Sequence, residues 1–283
     1  MFTESFKFRI ERITLQFGIT AFLIHASLIF AIKFGFLNAQ YFPQNLFGNP
    51  FEALFSPFSS LLVYEVYLLI YYLRKSYTKS VAKQLEIMAL ILLRNCFKDV
   101  GYLTDGHTTL LNSELVKDLS GFILLLILVW FFYHLDSKRE TLKTEMTNQF
   151  IKLKERLSVL LMIIFFTLSI YSFSNWIIDL LNYSTIKGEL GDPSKVFYTE
   201  FFTLLTFVDV ILLLSSARNL KNTILVIRNS GYVLATFLTR VSFSLEGWER
   251  IITLVLGALI AVFMLWISQR QVFTNLNEDS TDQ

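Results

Sequence analysis

The sequence predicts an all-α integral membrane protein, a helical bundle of eight transmembrane helices built as two parallel four-helix repeats. Three observations lead there: a composition that is 54% hydrophobic and only 17% charged, apolar runs of bilayer length, and charges and loop flanks that recur between the two halves of the chain. An ordinary soluble domain carries about 25% charged residues, so water is not the main solvent of this chain. Phe is abundant at 29 residues, whereas there are only 11 Gly and 4 Pro. That balance favours helices, which satisfy their own backbone polar groups in lipid.

A spanning helix needs roughly 20 mostly apolar residues at about 1.5 Å rise per residue. Segments 14–37, 54–73, 120–135, 157–180, 198–217 and 251–269 meet that demand on hydropathy alone. Two more, 84–103 and 223–243, are apolar but carry Glu86 and Arg94 in the first and Arg228 and Arg240 in the second. The distribution of Lys and Arg favours including both, because these residues resist translocation and collect on the cytoplasmic side. With eight spans and both termini inside, the inner segments hold Lys7, Arg9, Arg12, Arg74, Lys75, Lys79, Lys83, Lys138, Arg139, Lys143, Lys152, Lys154, Arg156, Arg218, Lys221, Arg228 and Arg270. The outer loops hold only Lys98, Lys117, Lys187, Lys195 and Arg250. A six-span arrangement places 74–119 on a single side and spoils the partition. The first apolar segment is too long for the core of a cleavable signal and reads as a retained helix.

Internal repetition supports the same architecture. A shift of 144 positions lays Glu11-Arg12 over Glu155-Arg156, Phe22 over Phe166 and Leu37-Asn38 over Leu181-Asn182. It also lays LVYEVYLLIYYLRK (62–75) over TFVDVILLLSSARN (206–219), with Glu65 against Asp209 and Arg74 against Arg218. With two residues added in the loop, ALILLRNCF (89–97) lies over ATFLTRVSF (235–243), and Arg94 over Arg240. An even number of spans per unit returns the chain to its starting side, so the halves run parallel about an axis along the membrane normal. The expected organisation is a first unit at 1–140, a cytoplasmic helical connector at 141–156, a second unit at 157–270 and a disordered polar tail at 271–283.

The mid-helix Glu in VYEVYLL, the Arg closing ALILLR and the apolar fourth segment running into DSKR resemble the phosphate-starvation-inducible PsiE family. The resemblance covers residues 8–140 as one unit, with the second half a diverged copy in which Asp209 stands for the Glu and the last span ends at ISQR. It implies a four-helix unit in the bacterial inner (plasma) membrane and an association with stress. It implies no reaction.

Charges inside the spans are the candidates for function. Glu65 lies about 13 Å from the cytoplasmic flank at Arg74, Arg94 about 17 Å from Lys83, Asp209 about 13 Å from Arg218 and Arg240 about 18 Å from Arg228, all near the middle of a hydrocarbon slab about 30 Å thick. An unpaired charge facing lipid costs about 3 kcal/mol, so each acid is expected to meet its base in the bundle interior. Two readings follow. The four groups line a path for a small ion or solute, or they only fix which helices pair.

His25 sits at similar depth and is a candidate proton relay or a histidine with one ordinary hydrogen-bond partner. Its repeat equivalent is Ser169. Lys33 and Asp179 fall near outer helix ends, where long side chains reach the headgroups. Arg74, Lys75, Lys79 and Lys83 are candidates for anionic lipid headgroups, although topology alone demands such a cluster.

The net charge of +2 gives no basis for a nucleic-acid partner; the lipid bilayer is the partner expected, and association with further copies is compatible with the sequence. Cys96 is the single cysteine, so neither an internal disulfide nor a Cys-based metal site is expected. HExxH, GxSxG, P-loop and dinucleotide patterns are missing from the sequence, and His107 and His134 lack partners at metal-ligand spacing, so no enzyme activity, metal or cofactor is expected. The expected function is conduction or transport of a small ion or solute, against the alternative of a non-transporting scaffold or stress-response component. Reporter fusions after residues 80, 145 and 221 are expected to report the cytoplasm and fusions after 40, 108 and 188 the outside; any exchange between the two sets would remove the eight-span topology.

Overall fold

The computed structural model describes residues 4–104, 114–137, 148–181, 193–219 and 223–281, and no strand occurs among them. Eight long helices are present among these residues: α1 (Glu4–Lys33), α2 (Phe55–Lys75), α3 (Tyr77–Thr104), α4 (Glu114–Ser137), α5 (Asn148–Leu181), α6 (Pro193–Asn219), α7 (Thr223–Val241) and α8 (Gly247–Thr281). The regular structure of the described residues is all helical, as the composition predicts. Five stretches among the described residues are long and apolar enough to cross a membrane: α1, Pro50–Lys75 leading through α2, α4, Phe150–Asp179 in α5 and Gly247–Gln269 in α8. The charge-bearing α3 and α7 are not among the five. Neither is α6, whose side chains are described only over 200–216.

The exposed faces are apolar. Leu15, Ile19 and Leu23 on α1, Ile123, Ile127 and Trp130 on α4, Ile163 and Ile170 on α5, and Ile252, Leu256, Leu259 and Phe263 on α8 are all exposed. They recur three, four or seven residues apart, so they form stripes along one face of each helix. A soluble protein puts polar residues on such faces, whereas stripes of this extent call for lipid. Several apolar helices with apolar outer faces are the mark of a multi-pass membrane protein.

Contacts along the chain divide it into two compact units, one of Met1–Leu68, Leu90–Leu119 and Met162–Phe201, the other of Leu69–Ala89, Ser120–Leu161 and Phe202–Gln283. Each unit draws on both sequence halves. In the first, α1 ends in a Schellman motif: Gly35 takes φ +78°, its N–H donates to the Ile32 carbonyl at 3.0 Å and the Phe36 N–H donates to Ala31 at 2.9 Å. A residue with a Cβ is strained at that φ, which is why Gly stands there. The segment that follows is stiffened by a capping box, in which the Asn49 side chain accepts from the Phe51 N–H at 3.1 Å and the Glu52 carboxylate accepts from the Gly48 and Asn49 N–H groups at 2.9 and 3.3 Å. It packs back on α1. α1 and α2 then run antiparallel, with Tyr64 donating to Glu11 at 3.0 Å near one end and Gly18 approaching Ser60 further along.

In the second unit only Ser76 separates α2 from α3. Ser76 accepts from the Ser80 N–H at 3.0 Å, and its hydroxyl accepts from the Lys79 N–H at 3.5 Å. This N-cap starts α3 at Tyr77, earlier than the apolar run at 84 indicates, so Lys79 and Lys83 lie on the helix itself. α7 and α8 pack antiparallel through small residues: Ala235, Ala258 and Ala261 are buried, and Gly257 faces Thr239 and Ala235. Small residues let helix backbones approach closely in a membrane. α8 continues to Thr281, through the polar stretch that composition predicts as a disordered end; Asn, Glu and Gln carry only modest helix penalties, so a formed helix can propagate through them. The connector is helical from Asn148, and residues 138–147 lie outside the described part.

A Cβ at position 257 comes within 2.8 Å of the Thr239 methyl and 2.9 Å of the Ala235 carbonyl oxygen. Gly257→Val is therefore expected to cost about 1–3 kcal/mol through forced separation of α7 and α8, read as a lower thermal midpoint of the detergent-solubilised chain. An unchanged midpoint would show that the two helices do not depend on this contact.

Candidate functional site

Asp209 and Arg240 meet. Asp209 stands in the middle of α6, fully buried, and Arg240 in the last turn of α7, 7% exposed. The Arg240 Nη2 donates to Asp209 Oδ2 at 2.5 Å and to Gln84 Oε1 at 2.7 Å, while Nη1 donates to the Thr206 hydroxyl at 2.7 Å. The Thr236 hydroxyl lies 3.5 Å from the same Asp209 oxygen. A guanidinium near a helix C-terminus is also favoured by the helix dipole. The expected acid–base pair of the second half is thus formed, among four hydrogen bonds drawn from α3, α6 and α7.

The three neutral partners are not in the sequence expectation, and they are not duplicated. At the shift that aligns the two sequence halves, Thr206 falls on Leu62, Thr236 on Leu90, and Gln84 on Ser230, which is exposed and bonds its own helix at Val226. Gln84 thus comes from the first half to complete the shell of an arginine in the second. A scan for charges passes over it, because a neutral amide at the edge of an apolar run carries no hydropathy signal. The signal available was the break in the repeat itself, polar in one copy and Leu in the other.

The first-half counterparts are placed differently. Glu65 is buried on α2. Arg94 is half-buried, with its guanidinium carbon 5.2 Å from the centre of the Phe55 ring, a residue about 15 Å along α2 from Glu65. A cation over an aromatic face is worth roughly 0.5–2 kcal/mol. His25 engages both ring nitrogens: Nδ1 lies 2.7 Å from the Ser56 hydroxyl, and Nε2–H donates to the Leu46 carbonyl at 2.8 Å. It thereby ties α1 to α2 and to the single helical turn at Gln44–Phe47.

Of the basic cluster, Arg74, half-buried, pairs with the exposed Glu155 at 3.1 Å, a geometry worth about 0–1 kcal/mol. Lys83 pairs with Glu86, which also accepts from the Tyr133 hydroxyl. Lys75 lies 4.6 Å from the Tyr71 ring centre, and it and Lys79 are the two exposed members. Lys33 and Asp179 are exposed near helix ends. His134 stacks on Trp130, and His107 lies outside the described residues. Among the described residues no group of three or more His, Cys, Asp or Glu is placed to hold a metal.

Further polar atoms surround the pair. Asp209 Oδ1, Arg240 Nε, Gln84 Nε2, Ser80 Oγ and the Tyr77 hydroxyl are buried and find no hydrogen-bond partner among the described residues. Tyr77, Ser80 and Gln84 follow one face of α3 at helical spacing. The centre therefore combines a neutralised charge pair with a rim of open donors and acceptors.

Comparison with known protein families, curated proteins and solved structures gives no match.

Removing one partner of a buried pair strands the other, which costs about 3–5 kcal/mol, whereas replacing both with apolar residues of similar volume is often near neutral. Asp209→Ala is expected to lower the thermal midpoint of the purified chain sharply, and the double variant Asp209→Leu/Arg240→Met to restore most of it. Equal losses in the single and double variants would remove the pair as the element holding α6 to α7.

Proposed function

We propose that this chain is a multi-pass protein of the bacterial inner membrane that conducts or transports a small ion or solute, with the Asp209–Arg240 centre as its polar step within the bilayer. One observation carries the reading. Around a pair already in contact, five more polar atoms are buried without a partner among the described residues, and each costs about 1–3 kcal/mol until something supplies one. A small polar guest supplies them. Arg240 Nε–H and the Gln84 amide offer donors, Asp209 Oδ1 an acceptor, and the hydroxyls of Tyr77 and Ser80 either, so the rim suits a solute that both accepts and donates or an ion with its water.

In this reading both termini are cytoplasmic, the two halves are parallel repeats of a PsiE-like unit, and Glu65 and Arg94 are the first half's counterparts of the pair. His25 serves as an anchor between α1 and the segment after it, since both its nitrogens are engaged. Lys75 and Lys79 face anionic headgroups. No enzymatic step is invoked. A second reading, a non-transporting membrane scaffold, is favoured by the closeness of the 2.5 Å contact, which neutralises the two charges without any guest.

Proteoliposome flux separates the two. With pyranine reporting protons and lucigenin reporting chloride, vesicles bearing the wild-type chain are expected to equilibrate one of the two ions faster than protein-free vesicles. Because a charge-assisted hydrogen bond is worth about 1.5–3 kcal/mol, Asp209→Asn is expected to slow that flux by about tenfold or more, and Glu65→Gln to slow it measurably. The folded double variant Asp209→Leu/Arg240→Met is expected to be silent. Wild-type rates equal to those of empty vesicles for both ions would leave the scaffold reading.

A further inference from the structure

The first compact unit contains a cavity of about 520 Å³ that the Asp209–Arg240 centre does not use. Its walls come from α1, α2 and α5 and from the helical turn at Gln44–Phe47. This volume lies in the range of sites that hold a drug-sized ligand. Most of the lining is apolar, and Phe17, Ile24 and Phe173 at its edge are exposed at 60%, 58% and 55%, so the cavity opens on a face of the kind that meets lipid.

Polar groups converge on this apolar space. Ser59 Oγ, Ser169 Oγ and Trp176 Nε1 all belong to lining residues, and all three atoms are buried with no hydrogen-bond partner among the described residues. His25 lines the cavity with both nitrogens already committed to Ser56 and Leu46. The indole N–H of Trp176 can only donate, while the two serine hydroxyls can donate or accept. Three open donors in an apolar enclosure call for an uncharged acceptor, because an ion there has no countercharge to meet it and pays a large desolvation cost. The repeat supplies an independent point. His25 and Ser169 are equivalent positions, as are Leu28 and Ser172, and all four residues line the cavity. It is built where α1 and α5, the first helices of the two halves, present corresponding faces.

We propose that this cavity binds an uncharged lipophilic molecule bearing a carbonyl group, entering from the bilayer, with the carbonyl oxygen received by Trp176, Ser59 and Ser169 and the apolar skeleton by Phe17, Ile24 and Phe173. The carbonyl has two sources, the ester of a bilayer glycerolipid or a free lipophilic carbonyl compound such as a quinone.

A diazirine-bearing stearic acid methyl ester, applied to the full chain in detergent and mapped by peptide mass spectrometry, tests this. Labelling of the cavity-facing peptides of α1, α2 and α5 is expected to saturate, and Ser169→Ala and Trp176→Phe are each expected to weaken it about fivefold, the worth of one hydrogen bond. Ala21→Phe, which fills the space, is expected to abolish it. Competition by dioleoyl phosphatidylcholine assigns the bilayer ester and competition by a decyl-substituted benzoquinone the free compound; either supports the site. Hexadecane competing as well as the carbonyl compounds, or labelling that rises linearly over all lipid-facing helices, would overturn it. Should Ala21→Phe fail to fold, the hexadecane comparison on the wild-type chain still decides.

Discussion

A guanidinium shut away from water needs acceptors inside the protein, and that requirement organises the helices around Arg240. Asp209 supplies the opposite charge, Thr206 a second acceptor on the same helix and Gln84 a third from α3. Each acceptor fixes the rotation of its helix about its own axis, because a turn of one residue, about 100°, carries the side chain to another face. Close contact between α7 and α8 through Gly257, Ala258 and Ala261 then holds the arginine-bearing helix in place. Apolar packing alone discriminates poorly among helix partners in lipid, since a lipid tail is as apolar as Leu. The buried polar shell provides the discrimination.

The two sequence halves carry matching charges, Glu65 with Arg94 and Asp209 with Arg240, but their surroundings differ. In the second half the base reaches its acid and two neutral partners, Thr206 and Gln84; in the first, Arg94 lies over the Phe55 ring. The difference follows from the residues around each charge. Where one half has Thr206 and Thr236 the other has Leu62 and Leu90, and an aromatic face is a favourable neighbour for a guanidinium. The same divergence sets His25 against Ser169, one with both nitrogens bonded and one with an open hydroxyl, on walls of a single cavity. The described residues thus hold two places of different chemistry, a polar centre with a neutralised ion pair and an apolar cavity with uncharged donors.

What the sequence by itself determined is the class of solvent and the class of element. Apolar runs of bilayer length can be read residue by residue, because transfer into lipid is close to a sum over side chains, and all-helical structure follows once the backbone must satisfy itself. The repeated acids and bases were legible for the same reason, and Asp209 with Arg240 proved to be partners. Only the tertiary structure decided which neutral side chains complete that pair, where Arg94 goes and that α1 and α5 share a cavity. A hydrogen bond between Gln84 and Arg240 joins residues far apart in the chain, and a cavity is a property of space left between helices. Neither leaves a trace in local composition. The early start of α3 belongs with these, since it rests on the geometry of one serine cap at Ser76 and not on the hydropathy of the residues that follow.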